Sequence, residues 1–320
     1  MIVVAIGAGA LWWSIRQPLP LPVSPFAFDV KSGASLKSVA RELAAAGALP
    51  AEFLLVALAR LEGADRTIKA GNYELAQGTT LRELLDKLTQ GDVTQSGLTL
   101  VEGATFAEFA AALRANPAVA KTVLDLPAAE LAQRIGVPGT SPEGWFFPDT
   151  YFFAAGSSDL AVLVRAHRLM RSRLDAAWAK RAADLPLKDP YEMLVLASIV
   201  EKETGRAADR PPIASVFVNR LRLGMRLQSD PTVIYGLGAR FDGDLRKRDL
   251  EADTPYNTYL REGLPPTPIA LPGQGALDAV ANPPKTDYLY FVARGDGASE
   301  FSANLADHNR AVAKFQLGRR

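Results

Sequence analysis

From Met193 to Val200 the chain reads MLVLASIV, with one hydroxyl as its only polar side chain, and the next residues, EKET, are polar throughout. With YE before it the stretch is long enough for a helix, and a helix with almost no polar face has to be buried. A buried element that ends in two carboxylates is unusual enough to organise the rest of the reading. Successive helical residues turn by ~100°, so Glu201 and Glu203 stand ~200° apart around the axis. They cannot flank one bond as a close pair, and a two-carboxylate hydrolase is therefore not supplied by this motif alone. One glutamate acts, or neither does. The carboxyl end of a helix carries partial negative charge and apolar walls desolvate a carboxylate, and both raise a glutamate pKa. Such a group keeps a proton near neutral pH and can donate it to a leaving oxygen. Against this stands a plain alternative, a solvated, charged helix end.

Composition removes several other chemistries. The 320 residues carry a net charge of +1, with 48% hydrophobic and 22% charged residues, which is globular and gives no electrostatic case for nucleic acid. There is no cysteine, so disulfides, a thiol nucleophile and thiolate metal sites are excluded. His167 and His308 are the only histidines, leaving little from which to build a metal centre, and neither a metal nor a cofactor is expected. Glycine-rich nucleotide loops and the GxSxG elbow are absent.

Along the chain the pattern predicts an α+β protein of two domains behind an amino-terminal segment. MIVVAIGAGALWWSI is apolar but short of the ~20 residues that span a bilayer, so it reads either as a membrane anchor or as a buried helix. Trp12 and Trp13 suit a membrane interface and RQPLPLPVSP suits a stiff spacer, which favours an anchor and spacer over residues 1–25. Residues 26–93 read as a small domain: a strand from Phe26, a helix with Leu36, Val39, Ala40 and Leu43 on one stripe, a helix near 51–62, a strand around Tyr73, and a helix capped by Thr79 or Thr80 and by Gly91. Its pattern resembles LysM-like wall-binding modules; a packing domain without a ligand is the alternative. TLVEGATFAEFAAAL opens the larger domain, 94–320. Within it GTSPEGWFFPDTYFF is too aromatic for a regular amphipathic element and reads as core in preference to a sugar-stacking surface. DYLYFVAR reads as a strand and HNRAVAKFQ as a terminal helix.

LASIVEKETG, followed by VFVNRLRLGMRLQSDPTVIYGLG, TPYNTYLREGLPPTPIALPG and YLYFVA and preceded by EGWFFPDTY, resembles the YceG-like family, the endolytic murein transglycosylases of the bacterial inner membrane. The resemblance implies a periplasmic catalytic domain that acts on nascent peptidoglycan glycan strands, with peptidoglycan synthases as partners. It implies cleavage of the MurNAc–GlcNAc bond without water, leaving 1,6-anhydroMurNAc ends and helping to terminate strand elongation. In the family motif the catalytic acid is the second glutamate of EKET, here Glu203. Glu201 is then expected to pair with Arg206 or Arg220 in a structural role. Gln228, Asp230, Thr232 and Tyr235 of QSDPTVIY, with Asn257, Thr258 and Tyr259 of YNTY, are the implied substrate-binding residues. Their amides, hydroxyls and aromatic edges suit N-acetyl groups and sugar faces, although each could equally be a loop hydrogen bond or a core residue. Two alternatives remain: a lysozyme-like hydrolase using the same acid, and a wall-binding scaffold in which Glu203 is structural.

Overall fold

A computed structural model describes residues 13, 15–31, 33–91 and 95–318. The fold is mixed α+β, and the chain divides into two compact units. The smaller holds the described residues up to Gly97 together with Pro117–Ala120 and Phe152–Ser158; the larger holds Leu98–Asn116, Lys121–Tyr151 and the chain from Asp159 onward.

In the smaller unit β1 (Phe26–Val30) pairs antiparallel with β2 (Gly71–Leu75), Phe28 opposite Tyr73. Two helices lie between them in sequence, α1 (Leu36–Ala45) and α2 (Glu52–Leu61), and α3 (Leu81–Gln90) follows. Local chemistry explains their limits. Ser35 caps α1 by accepting from the Ser38 N–H, and the stripe Leu36, Val39, Ala40 and Leu43 is buried as its spacing predicts. Thr80 and Glu83 form a reciprocal capping box at the start of α3, and Gly91 closes it in the left-handed conformation that glycine adopts without a Cβ penalty. Tyr73 is fully buried and its hydroxyl donates to the Lys69 carbonyl at 2.7 Å, so its one polar atom is satisfied.

The Pro-rich stretch, expected to be a stiff spacer, is partly built into this unit. Leu19 is buried, its N–H donates to the Thr79 carbonyl at 2.8 Å, and Ile15 and Leu21 pack against the same core. Prolines at 18, 20 and 22 favour extended backbone while Leu19 and Leu21 between them supply apolar area, and burying that area outweighs standing clear as a spacer. The rest of the expected anchor, residues 1–12 and 14, lies outside the described residues. Among the described residues no helix is long and apolar enough to cross a membrane.

Strands β3 (Gln95–Thr99) and β5 (Thr150–Ala154) fall across the boundary between the units, and the short β4 (Val119–Ala120) and β6 (Ser157–Ser158) pair in parallel within the smaller one. The larger unit is helical: α4 (Phe106–Ala115), α5 (Ala128–Ile135), α6 (Asp159–Ala179), α7 (Pro190–Glu203), α8 (Arg210–Arg222), α9 (Asp230–Leu237), α10 (Lys247–Leu250) and α11 (Gln274–Ala281) precede a hairpin, β7 (Tyr290–Ala293) with β8 (Ser299–Ser302), and α12 (Leu305–Phe315). Helix α7 packs against α6, α8, α9 and α11, which is why it has no polar face. Aromatics from the EGWFFP stretch fill the core: Phe146 stacks on Phe106 at 5.2 Å and Trp145 on Tyr191 at 5.7 Å.

Candidate active site

The end of α7 is located by its surroundings. Asp189 accepts from the Glu192 N–H at 2.9 Å, Pro190 occupies the first turn, where no N–H is required, and every side chain from Met193 to Glu201 is buried. Glu201 accepts from the Gly273 N–H at 2.9 Å and from Arg210 at 2.8 Å; Arg210 also reaches Glu102 at 3.3 Å. The expected pairing with Arg206 or Arg220 is thus corrected to Arg210. Arg206 stays in the exposed turn beside Asp209, 3.8 Å away, and Arg220 lies ~15 Å further along α8 than Arg210, out of reach of the same carboxylate.

Glu203 points elsewhere. It accepts a 2.5 Å hydrogen bond from the Ser229 hydroxyl and borders a cavity of about 410 Å³. Burial pushes its pKa up to about 7, and the charge of Asp230 adds to the rise; the Ser229 hydrogen bond and the nearby Arg220 oppose it. A carboxyl so placed keeps its proton in a large share of molecules at neutral pH. Arg220 is itself buried, donates to the carbonyls of Leu289 and Leu227 at 2.7 Å each, and lies 5.2 Å from the centre of the Tyr290 ring. A larger cavity of about 540 Å³ borders Trp145 and Tyr191 at the other end of α7, but its two carboxylates, Asp175 and Asp189, are exposed.

The residues expected to line the site separate into three groups. Gln228, Asp230 and Tyr259 border the cavity with Glu203, and the Tyr259 hydroxyl donates to Asp230 at 2.6 Å. Thr232, Thr258 and Asn257 are buried, with their polar groups engaged in holding the wall. The Thr258 hydroxyl accepts from the Ser229 N–H at 3.0 Å and lies 2.8 Å from that of Thr232, and Asn257 donates to the carbonyls of Leu250 and Ala252 at 2.8 Å each. Tyr235 turns to Glu143, donating to it at 3.1 Å, and stands edge-on to Tyr256 at 4.8 Å. Gln228 has φ 50°, the one left-handed backbone among the described non-glycine residues, and its N–H donates to the Thr258 carbonyl at 3.1 Å. That turn delivers Ser229 to Glu203.

The profile of the YceG-like family matches residues 28–314. The chain belongs to the YceG-like family. Over 304 residues it is 33% identical to a protein of Bacillus subtilis (strain 168) named endolytic murein transglycosylase, covering 90% of this chain and 84% of that one. A protein of the same name from Streptococcus pneumoniae serotype 2 (strain D39 / NCTC 7466) is 29% identical over 286 residues, or 77% of this chain; the chain spans 50% of that relative's length. Among solved structures, that of a yceG-like protein from Listeria monocytogenes is similar, with a TM-score of 0.57 and 27% identity over 90% of this chain and 99% of the other.

Several residues at this site and elsewhere in the larger unit of the YceG-like chain escape a reading by residue type. Ser229 is an ordinary helix-capping residue by sequence, and Arg220, expected beside Glu201, lies near Glu203 instead. Glu143 is buried, accepts from the Phe106 N–H at 2.9 Å and is raised to about 7 by burial; its only sequence signal is a carboxylate beside an apolar run. The Ser229 contact makes a prediction. Ser229→Ala removes a hydrogen bond that favours the carboxylate, so the Glu203 pKa should move further up by about one unit, the scale of a hydrogen bond to a charged group. Carbon-13 NMR titration of glutamate-labelled protein reads it, and an unmoved or lowered value would contradict the assigned contact.

Proposed function

We propose that this chain is a peptidoglycan lytic transglycosylase in which Glu203 serves as both acid and base. The observation that carries the reading is a single half-hidden carboxyl, held near 7, at the end of a wholly buried helix and beside a cavity with amide, hydroxyl and carboxylate groups on its rim. Protonated Glu203 gives its proton to the glycosidic oxygen as the C1–O bond breaks. The resulting carboxylate takes the proton of the muramoyl 6-hydroxyl while O6 bonds to C1. The proton returns to Glu203, the product is a 1,6-anhydro ring, and no water enters the balance. Because the nucleophile belongs to the substrate, the divergence of Glu201 from Glu203 is no obstacle. The names of the B. subtilis and S. pneumoniae relatives support the same substrate, murein, cleaved within the strand.

Mass spectrometry of uncrosslinked glycan strands incubated with the protein tests the reading. Anhydro-muramoyl ends are expected. Reducing ends would make the protein a hydrolase, and binding without cleavage would make it a scaffold.

The wider reading has a membrane anchor over residues 1–15, a periplasmic catalytic unit, and strand termination alongside peptidoglycan synthases. Apolar sequence up to Trp12 and Trp13 supports the anchor. Inner-membrane recovery on fractionation is expected, and a soluble cytoplasmic protein would remove it. The β-α-α-β order of the smaller unit supports a LysM-like module; glycan affinity unchanged by substitutions throughout its loops would argue that it only packs.

A further inference from the structure

One wall of the Glu203 cavity has no part in the acid–base scheme. In the first turn of α12, Leu305, His308 and Asn309 occupy positions i, i+3 and i+4, hence a single helix face, and all three border the cavity. Leu305 is 54% exposed there. His308 lies against Tyr290, ring centres 5.1 Å apart and planes 24° from parallel, and its Nδ1 is buried without a hydrogen-bond partner. Burial and the positive charge of Arg220 lower the His308 pKa, so the imidazole is neutral and offers one donor and one acceptor. The other histidine makes the contrast plain. His167 is buried with Nδ1 3.2 Å from the Trp145 carbonyl oxygen, which accounts for it as a core residue.

An apolar side chain left wet, a neutral imidazole and an exposed carboxamide, together on one helix face and beside a catalytic carboxyl, mark a surface completed by a ligand. We propose that this face of α12 is a carbohydrate subsite that holds the acetamido group of the sugar next to the cleaved bond. His308 and Asn309 hydrogen-bond its amide and neighbouring hydroxyls, and Leu305 covers its methyl group. The inference rests on the glycan reading above and adds the part of the sugar that is recognised. An acetamido group presents an N–H, a carbonyl and a methyl within a few ångströms; the wall presents a neutral imidazole, a carboxamide and an isobutyl group within one helical turn. None of the three is charged, which suits a neutral amide better than an anion or a cation.

Binding is best read without turnover, in Glu203→Gln protein titrated calorimetrically with a tetramer of N-acetylglucosamine and, as control, cellotetraose, which has hydroxyls in place of the acetamido groups. His308→Phe keeps a ring to stack on Tyr290 and removes both nitrogens; affinity for the acetylated tetramer should fall about tenfold, the scale of one hydrogen bond. Asn309→Ala and Leu305→Ser should each lower it about threefold, with cellotetraose weak and indifferent to all of them. In protein with Glu203 intact the losses should appear mainly in KM. Acetylated tetramer binding as tightly to the variants as to the parent, or cellotetraose binding as tightly as the acetylated tetramer, would overturn the subsite. Should thermal melting show His308→Phe misfolded, the two substitutions at exposed positions decide alone. Loss of binding in the variants, together with wild-type protein that cleaves nothing, would sustain the subsite while removing the acid–base reading.

Discussion

Glu203→Gln should abolish glycan cleavage while leaving the protein folded and, above neutral pH, more stable than its parent. General acid–base catalysis contributes ~10²–10⁴-fold, and in the proposed scheme one group performs both proton transfers, so the loss should reach at least the upper part of that range. The stability gain has a definite sign. Glu203 has a folded pKa of about 7 against an ordinary value of 4.5. Between those values the folded chain binds more protons than the unfolded chain, so stability falls as pH rises through this window and then levels off. Glutamine has no proton to lose. The variant should match its parent near pH 4 and exceed it by on the order of 3 kcal/mol near pH 8. Glu143, raised to the same region, is present in both proteins and cancels in the difference. Wild-type activity should decline as pH rises through about 7, where the acid form disappears. Product analysis and urea titrations at the two pH values test this together. A variant that cleaves at the wild-type rate would place the acid elsewhere.

Glu201→Ala should do the opposite: weaken the fold more than the chemistry. Its carboxylate joins the end of α7 to the start of α8 through Arg210 and to the loop at Gly273 through a backbone N–H. Truncation leaves both donors behind. Breaking a buried ion pair by removing one partner costs about 3–5 kcal/mol, and the low end applies because Arg210 retains Glu102, 3.3 Å away. Denaturant unfolding of Glu201→Ala, Arg210→Ala and the double variant should give a double loss well short of the sum of the single ones. Turnover of the folded fraction should fall far less than in Glu203→Gln. Unchanged stability with no turnover would mean that the roles of the two glutamates have been exchanged.

How far the site could be read in advance depended on how near its partners lie in sequence. Caps are local: Thr80 and Gly91 act within four residues of themselves, and residue type and spacing narrow the first to Thr79 or Thr80 and point directly to the second. The Glu203 surroundings are not local. Ser229 is 26 residues away, Gly273 is 72 from Glu201, and one of the two carbonyls that fix Arg220, that of Leu289, is 69 residues further on. No periodicity reports contacts at such distances. The same limit explains why Thr232, Asn257 and Thr258, implied by the family resemblance and suited by their chemistry, prove to be buried in the wall whereas Gln228, Asp230 and Tyr259 border the opening.

By itself the sequence determined that α7 is buried and that its two glutamates diverge, because an eight-residue apolar run and a ~100° helical step leave no other geometry. The family motifs singled out Glu203. Tertiary structure alone decided which base neutralises Glu201, which hydroxyl restrains Glu203, and that the first turn of the terminal helix borders the same cavity. The reason is physical. A carboxyl's proton affinity is set by desolvation and by charges and donors within a few ångströms, and folding assembles those neighbours from segments that the sequence keeps far apart.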